Sequence, residues 1–175
     1  MNALLVLAAV AFLLSIRGEP GYGTLAMVYF ASALPFIGSG TILSLAIAET
    51  IERVNRVYFA DLAGAAAGCA VLVPLLNRLG GPNAVLAAGA LFAASSVVWF
   101  LVSGDRRKGY AAAALTAALA ALVAVNANTR VIDVRYAKGQ ELTSERFVRW
   151  NSFSRVALGK DPYGKPNIVI DADAA

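Results

Sequence analysis

The sequence contains no histidine and one cysteine, Cys69. No Ser/His/Asp or Cys/His catalytic set can be assembled without an imidazole. Zinc and transition-metal centres lose their commonest ligands, and one thiol forms no internal disulfide. In so apolar a chain Cys69 is expected to be an inert, buried thiol. Charge is also scarce. Only 15% of residues are charged, against roughly 25% in soluble domains. There is no phosphate loop and no dinucleotide fingerprint. The GSG at residues 38–40 follows no strand and lacks the remaining glycine spacing. A pI near 9.5 raises nucleic acid as a partner, but no basic cluster with interleaved aromatics supports it.

What fills the chain is hydrocarbon. It is 59% hydrophobic, with a mean hydropathy of +0.66. Residues 1–125 hold seven basic and five acidic side chains, nearly all between apolar runs. Residues 126–175 hold eight and six, with no long apolar run. The reading is an α-helical membrane protein: a bundle of about five transmembrane helices, residues 1–125, followed by a short β-rich soluble tail, residues 126–175. The helices are placed at 3–16, 22–48, 57–76, 82–102 and 110–125. The first spans only about 21 Å, short for a hydrocarbon core of about 30 Å. A signal peptide is its rival, but Arg17 follows the run and RGEPGYG is a poor cleavage site. A clipped membrane helix is preferred. Pro35 predicts a kink or break in the second helix. Pro74 with the Gly80–Gly81–Pro82 turn predicts the end of the third. Glu49 with Arg53, and Glu52 with Arg56, are acid-before-base pairs at i,i+4, which suits an interfacial helical turn. In the tail, TRVIDVRY (129–136) reads as a strand, RFVRWNSFSRVAL (146–158) as one or two, and NIVID (167–171) as another.

Residues 56–69, RVYFADLAGAAAGC, carry the densest pattern. Ala60, Gly64 and Gly68 recur every four residues and form one flat stripe suited to helix packing. Asp61 lies inside the same apolar run. An intramembrane carboxylate points to an ion or proton site, yet Asp61 is only about one turn from the helix start and within reach of Arg53 or Arg56. Asp171 and Asp173 form a possible carboxylate pair, read as strand-end or turn residues. WNSFSRV (150–156) is dense in donors and aromatics. Either Trp150 and Phe153 enter a core, or Trp150, Asn151, Ser154 and Arg155, with Ser152, rim a polar ligand site. Five basic residues flank each side of the five-crossing arrangement, so the positive-inside count leaves the orientation of the tail open.

Two stretches resemble a known family. VYFADLAGAAAGCAVLVPLLNRLGGPNAVLAAGALFA (57–93) and RWNSFSRVAL (149–158) are similar to bacterial membrane proteins of the spermidine-synthase-like type. In that family a multi-helix membrane region precedes an aminopropyltransferase domain with a methyltransferase-like Rossmann fold. The resemblance covers residues 22–175. It implies an inner-membrane, multi-pass protein of polyamine biosynthesis with a cytoplasmic tail. The family's glycine loop and catalytic aspartates match nothing here, so the resemblance assigns no catalytic, cofactor or metal residue to this chain. The implied cofactor, decarboxylated S-adenosylmethionine, belongs to a domain outside these residues. The implied partners are the lipid bilayer and either other membrane helices or that domain. Two alternatives stand beside it: a small transporter using Asp61 and the kinked second helix, and a membrane scaffold for a partner enzyme.

Overall fold

The computed structural model describes all residues except 18, 138, 139, 143, 144, 146, 161–163, 172 and 175. Five helices come first: α1 Asn2–Ser15, α2 Tyr22–Glu49, α3 Val54–Leu79, α4 Gly81–Val102 and α5 Arg106–Thr129. A 3-10 turn, Ile51–Arg53, joins α2 to α3. Six strands follow: β1 Tyr136–Ala137, β2 Gln140–Glu141, β3 Phe147–Trp150, β4 Arg155–Lys160, β5 Pro166–Ile170 and β6 Asp173–Ala174. The last four helices are each long and apolar enough to cross a membrane, and α1 is shorter. The fold is a helical membrane bundle carrying a short β tail.

Several helix ends differ from the sequence reading, each for a local reason. Helix α2 runs through Pro35. Proline removes one donor from the helix ladder. One turn on, the Ser39 hydroxyl donates to the Pro35 carbonyl at 2.8 Å, and Asn2 Nδ2 donates to Ser39 Oγ at 3.0 Å. Gly38 makes room for Asn2, since a Cβ there would lie 2.1 Å from Asn2 Oδ1. The start of α1 therefore sits level with the middle of α2. Helix α3 likewise continues past Pro74 to Leu79, where Gly80 at φ +79° stops it. A proline in an apolar helix deletes one bond and leaves the next turn intact. Helix α5 begins at Arg106, not at 110, because Asp105 caps it: its Oδ1 accepts from Lys108 N at 3.1 Å. The Lys108 ammonium lies 2.7 Å from Asp105 Oδ2.

Hydrogen bonding to Lys108 holds the Asp105 carboxyl below its ordinary pKa. A depressed carboxyl pKa contributes stability above the unfolded pKa, and that contribution is lost as pH falls through the folded value. Asp105→Ala is therefore expected to fray the first turn of α5 at neutral pH and to remove the acid-dependent part of that fraying. Amide exchange at residues 106–109, followed from acid to neutral pH, checks both.

The expected pairs Glu49–Arg53 and Glu52–Arg56 do not form. Among the described residues the ion pairs are Lys108–Asp105 and Arg155–Glu145. The 3-10 turn breaks the 3.6-residue register that i,i+4 pairing needs.

Helix α4 is the centre of the bundle. It packs along α5 on one side and α1 on the other, while α1 also lies on α2. Ala3, Ala93 and Leu119 form the buried core, with Leu7, Ala90, Phe92 and Leu115 around them. Small residues let the backbones approach: a Cβ on Gly89 would lie 3.3 Å from Val6 Cγ1. Helix α3 stands apart, with no buried residue, and touches α4 and β3 near its C-terminal end.

Residues 129–136 do not make the expected strand. Thr129 still belongs to α5, and Arg130 caps the helix in the left-handed region at φ 51°. The segment then turns back onto the helix, and only Tyr136 and Ala137 pair, with Glu141 and Gln140. β3, β4 and β5 agree with the sequence, and the two-residue β6 adds to them. β3 to β6 form an antiparallel meander in order β3-β4-β5-β6. Phe147 faces Leu158, which faces Ile168, and on the other side of the sheet Val148 faces Ala157, which faces Val169.

Candidate functional site

The tail is not hung on a free linker. Asn126, buried in the last turns of α5, ties it to the helix ends. Its Nδ2 donates to Asn83 Oδ1 at 2.7 Å and to the Ile132 carbonyl at 2.8 Å. Its Oδ1 accepts from Ile132 N at 2.6 Å. Asn83, at the start of α4, donates to the Leu79 carbonyl at 2.9 Å. Asn126 and Asn83 are 2% and 5% exposed. Buried amides of this kind are stable only when satisfied, so the network fixes α4, α5 and the first residues of the tail together. A second contact comes from β3. The Trp150 indole lies on the Gly80–Gly81 turn, where a Cβ on Gly81 would stand 2.7 Å from the ring. Gly81→Val is expected to push the indole off its seat. The readout is a red shift of Trp150 emission in a Trp99→Phe background, since these are the two tryptophans of the chain.

Between the two contacts opens a cleft of about 490 Å³, lined by polar and apolar side chains together. Arg78 from the end of α3, Arg130 from the cap of α5 and Arg149 from β3 line it, together with Asp133, Asn83 and Trp150. Arg149 stacks over the Phe147 ring at 5.7 Å. All three arginines are exposed, and among the described residues none is paired with a carboxylate.

Behind the cleft lies a buried pair. Arg155 and Glu145 have side chains 6% and 5% exposed and meet in a two-pronged ion pair, Nη1 to Oε1 at 2.8 Å and Nη2 to Oε2. Hydrogen bonding to Glu145 raises the Arg155 pKa against the opposing effect of burial, and the charges of Glu145, Asp133 and Asp171 add to the rise. Arg155 Nε is buried without an acceptor among the described residues.

The residues singled out in the sequence are distributed as follows. Ala60, Gly64 and Gly68 are exposed, and nothing lies within 4 Å of a Cβ built on either glycine. Close helix approaches within the chain fall at Gly38 against Asn2 and at Gly89 against Val6. Cys69 is exposed, not buried, because α3 has no helix against that face. Asp61 is exposed and makes no hydrogen bond or ion pair among the described residues, so it does not reach Arg53 or Arg56.

The proposed rim at 150–155 is divided. Trp150 borders the cleft, but Asn151 and Ser154 are used in the β3–β4 turn. Asn151 Oδ1 accepts from Phe153 N and Ser154 N, both at 2.7 Å. Phe153, the other expected core residue, is 93% exposed at the tip of that turn. Arg155 is held by Glu145, and its backbone N–H donates to Asp171 Oδ1 at 2.8 Å. Asp171 itself takes φ 50° at the end of β5, the turn role expected of it.

The sequence reading missed Asn83, Asn126 and the three cleft arginines. The signal for the asparagines was present: each is an amide in an otherwise alanine-rich apolar helix. No family model, curated protein or solved structure matches the chain.

Proposed function

We propose that the chain is the membrane-embedded region of a spermidine-synthase-like protein and that it holds an aminopropyltransferase-type domain at the cytoplasmic surface of the inner membrane. The observation that carries this reading is one face of the sheet. Phe147, Leu158 and Ile168 face one another across β3, β4 and β5, yet are 53%, 39% and 54% exposed. A contiguous apolar row on a water-facing sheet is a surface that another body covers. The Asn126 network and the Trp150 seat hold that surface at a fixed place beside the helix ends. The resemblance in residues 57–93 and 149–158 names the body as an aminopropyltransferase domain, whose substrates are decarboxylated S-adenosylmethionine and a polyamine. Residues 1–175 supply the anchor and the docking face, and aminopropyl transfer belongs to the domain.

The experiment is co-purification of the detergent-solubilised chain with a soluble aminopropyltransferase-fold domain from the same genome. Retention that is lost in Leu158→Glu/Ile168→Glu supports the reading. Aminopropyl transfer by the 175 residues alone, or no retention of such a domain, overturns it.

A further inference from the structure

We infer that the cleft between the helix ends and the sheet binds a phosphate-bearing anion, and that its fit is to the headgroup of an anionic phospholipid. Three arginines from three separate elements, Arg78, Arg130 and Arg149, converge on one cavity. None has a carboxylate partner among the described residues. The carboxylate in the lining, Asp133, accepts from Val134 N at 2.8 Å and adds its field to Arg155. The balance around the cavity is therefore positive. Guanidinium groups suit phosphate oxygens because their planar donors pair with two acceptors at once.

The start of α4 adds to this. Its cap, Gly80, offers no side-chain hydrogen bond, and Gly80, Pro82 and Asn83 all line the same cavity. A helix N-terminus carries partial positive charge and favours an anion beside it.

The lipid source follows from α3. Leu72, Leu76 and Leu79 lie at i, i+4 and i+7, one stripe of the helix. Leu76 and Leu79 line the cleft, and Leu72, 49% exposed, continues the stripe away from it along an unburied helix. A headgroup in the cleft would thus have its acyl chains against α3. The same charge balance repels a polyamine. The inference rests on the cleft between the helix ends and β3 and is independent of any aminopropyltransferase domain.

The test uses the full chain with Trp99→Phe in neutral detergent, so that Trp150 reports on the cleft. Short-chain phosphatidylglycerol is titrated against phosphatidylcholine and inorganic phosphate. A saturable emission change with phosphatidylglycerol alone assigns the cleft to a membrane phosphate. A change with inorganic phosphate as well supports the phosphate site and overturns the lipid assignment. Arg78→Gln and Arg130→Gln should each weaken binding about tenfold. Arg106→Gln/Arg107→Gln, at the opposite end of the bundle, should leave it unchanged. Circular dichroism confirms that the variants are folded. In the chain with both arginines intact, affinity should also fall as salt rises. No saturable response to either phosphate source, an equal response to phosphatidylcholine, or equal weakening by the 106/107 pair overturns the site.

Discussion

Asn126→Leu frees the tail from the bundle while the helices remain folded. The side chain makes three hydrogen bonds to partners in two other segments, Asn83 and Ile132. Leucine is close in volume but returns none of them. Three polar groups then lose their partner in a site that is 2% exposed at its centre. With a few tenths to 3 kcal/mol for each, tempered by water entering from the cleft, the loss is about 3 kcal/mol. It falls on docking rather than on the helices, because Asn126 crosses between elements and does not hold α5 to itself. Hydrogen exchange at the Ile132 amide should quicken by about a hundredfold, and limited proteolysis should move to residues 131–135. Asn128→Leu is the control. Its amide donates only to Ala124 within α5 and it is exposed, so neither readout should move.

Glu145→Gln is expected to have the other large effect. The change leaves the Arg155 guanidinium in place, 6% exposed, with its countercharge removed. Breaking one side of a buried pair costs about 3–5 kcal/mol, more than the pair itself contributes over an apolar replacement. The four-stranded sheet should therefore lose its fold while α1 to α5 keep theirs. Urea titration followed by Trp150 emission, in the Trp99→Phe background, reads the loss. Glu145→Gln/Arg155→Met should regain most of it, because the stranded charge is gone. The sign with pH is fixed by Arg155. Its pKa is raised above the ordinary guanidinium range, so its contribution is complete below that range and is lost only as pH rises beyond it.

The helices were legible because hydropathy sums over twenty residues and tolerates local exceptions. Their ends were not. Pro74 and the residues after it read as an end near 76, yet an apolar helix absorbs one missing bond and runs to Leu79. Residue 110 reads as a start, yet the Asp105 cap starts the helix four residues earlier, at Arg106. The strand expected at 129–136 shows the opposite failure. Val131, Ile132 and Val134 carry strong β propensity, but the amide of Asn126 binds Ile132 first, and a tertiary contact outweighs propensity. The β3–β4 hairpin was readable because alternation and turn chemistry agree at 147–160. The WNSFSRV rim was half readable. Its residues are chemically conspicuous because they build a turn and a buried ion pair, and only Trp150 reaches the cleft. Arg78, Arg130 and Arg149 lie 52 and 19 positions apart in the chain. No spacing rule joins them, and only the fold places them around one cavity.

The Gly80–Gly81 seat also sets an order in time. The indole that occupies it is synthesised about seventy residues after the turn itself. At ribosomal rates of roughly 5–20 residues per second, the seat stands empty for about 3 to 14 s. Ile132 follows Asn126 by six residues and closes on it in well under that time. The growing chain therefore passes through a stage in which the helical hairpin is already latched to the first residues of the tail while the surface awaiting Trp150 is bare. Any chaperone or insertion factor acting on this protein between those two events meets that bare turn.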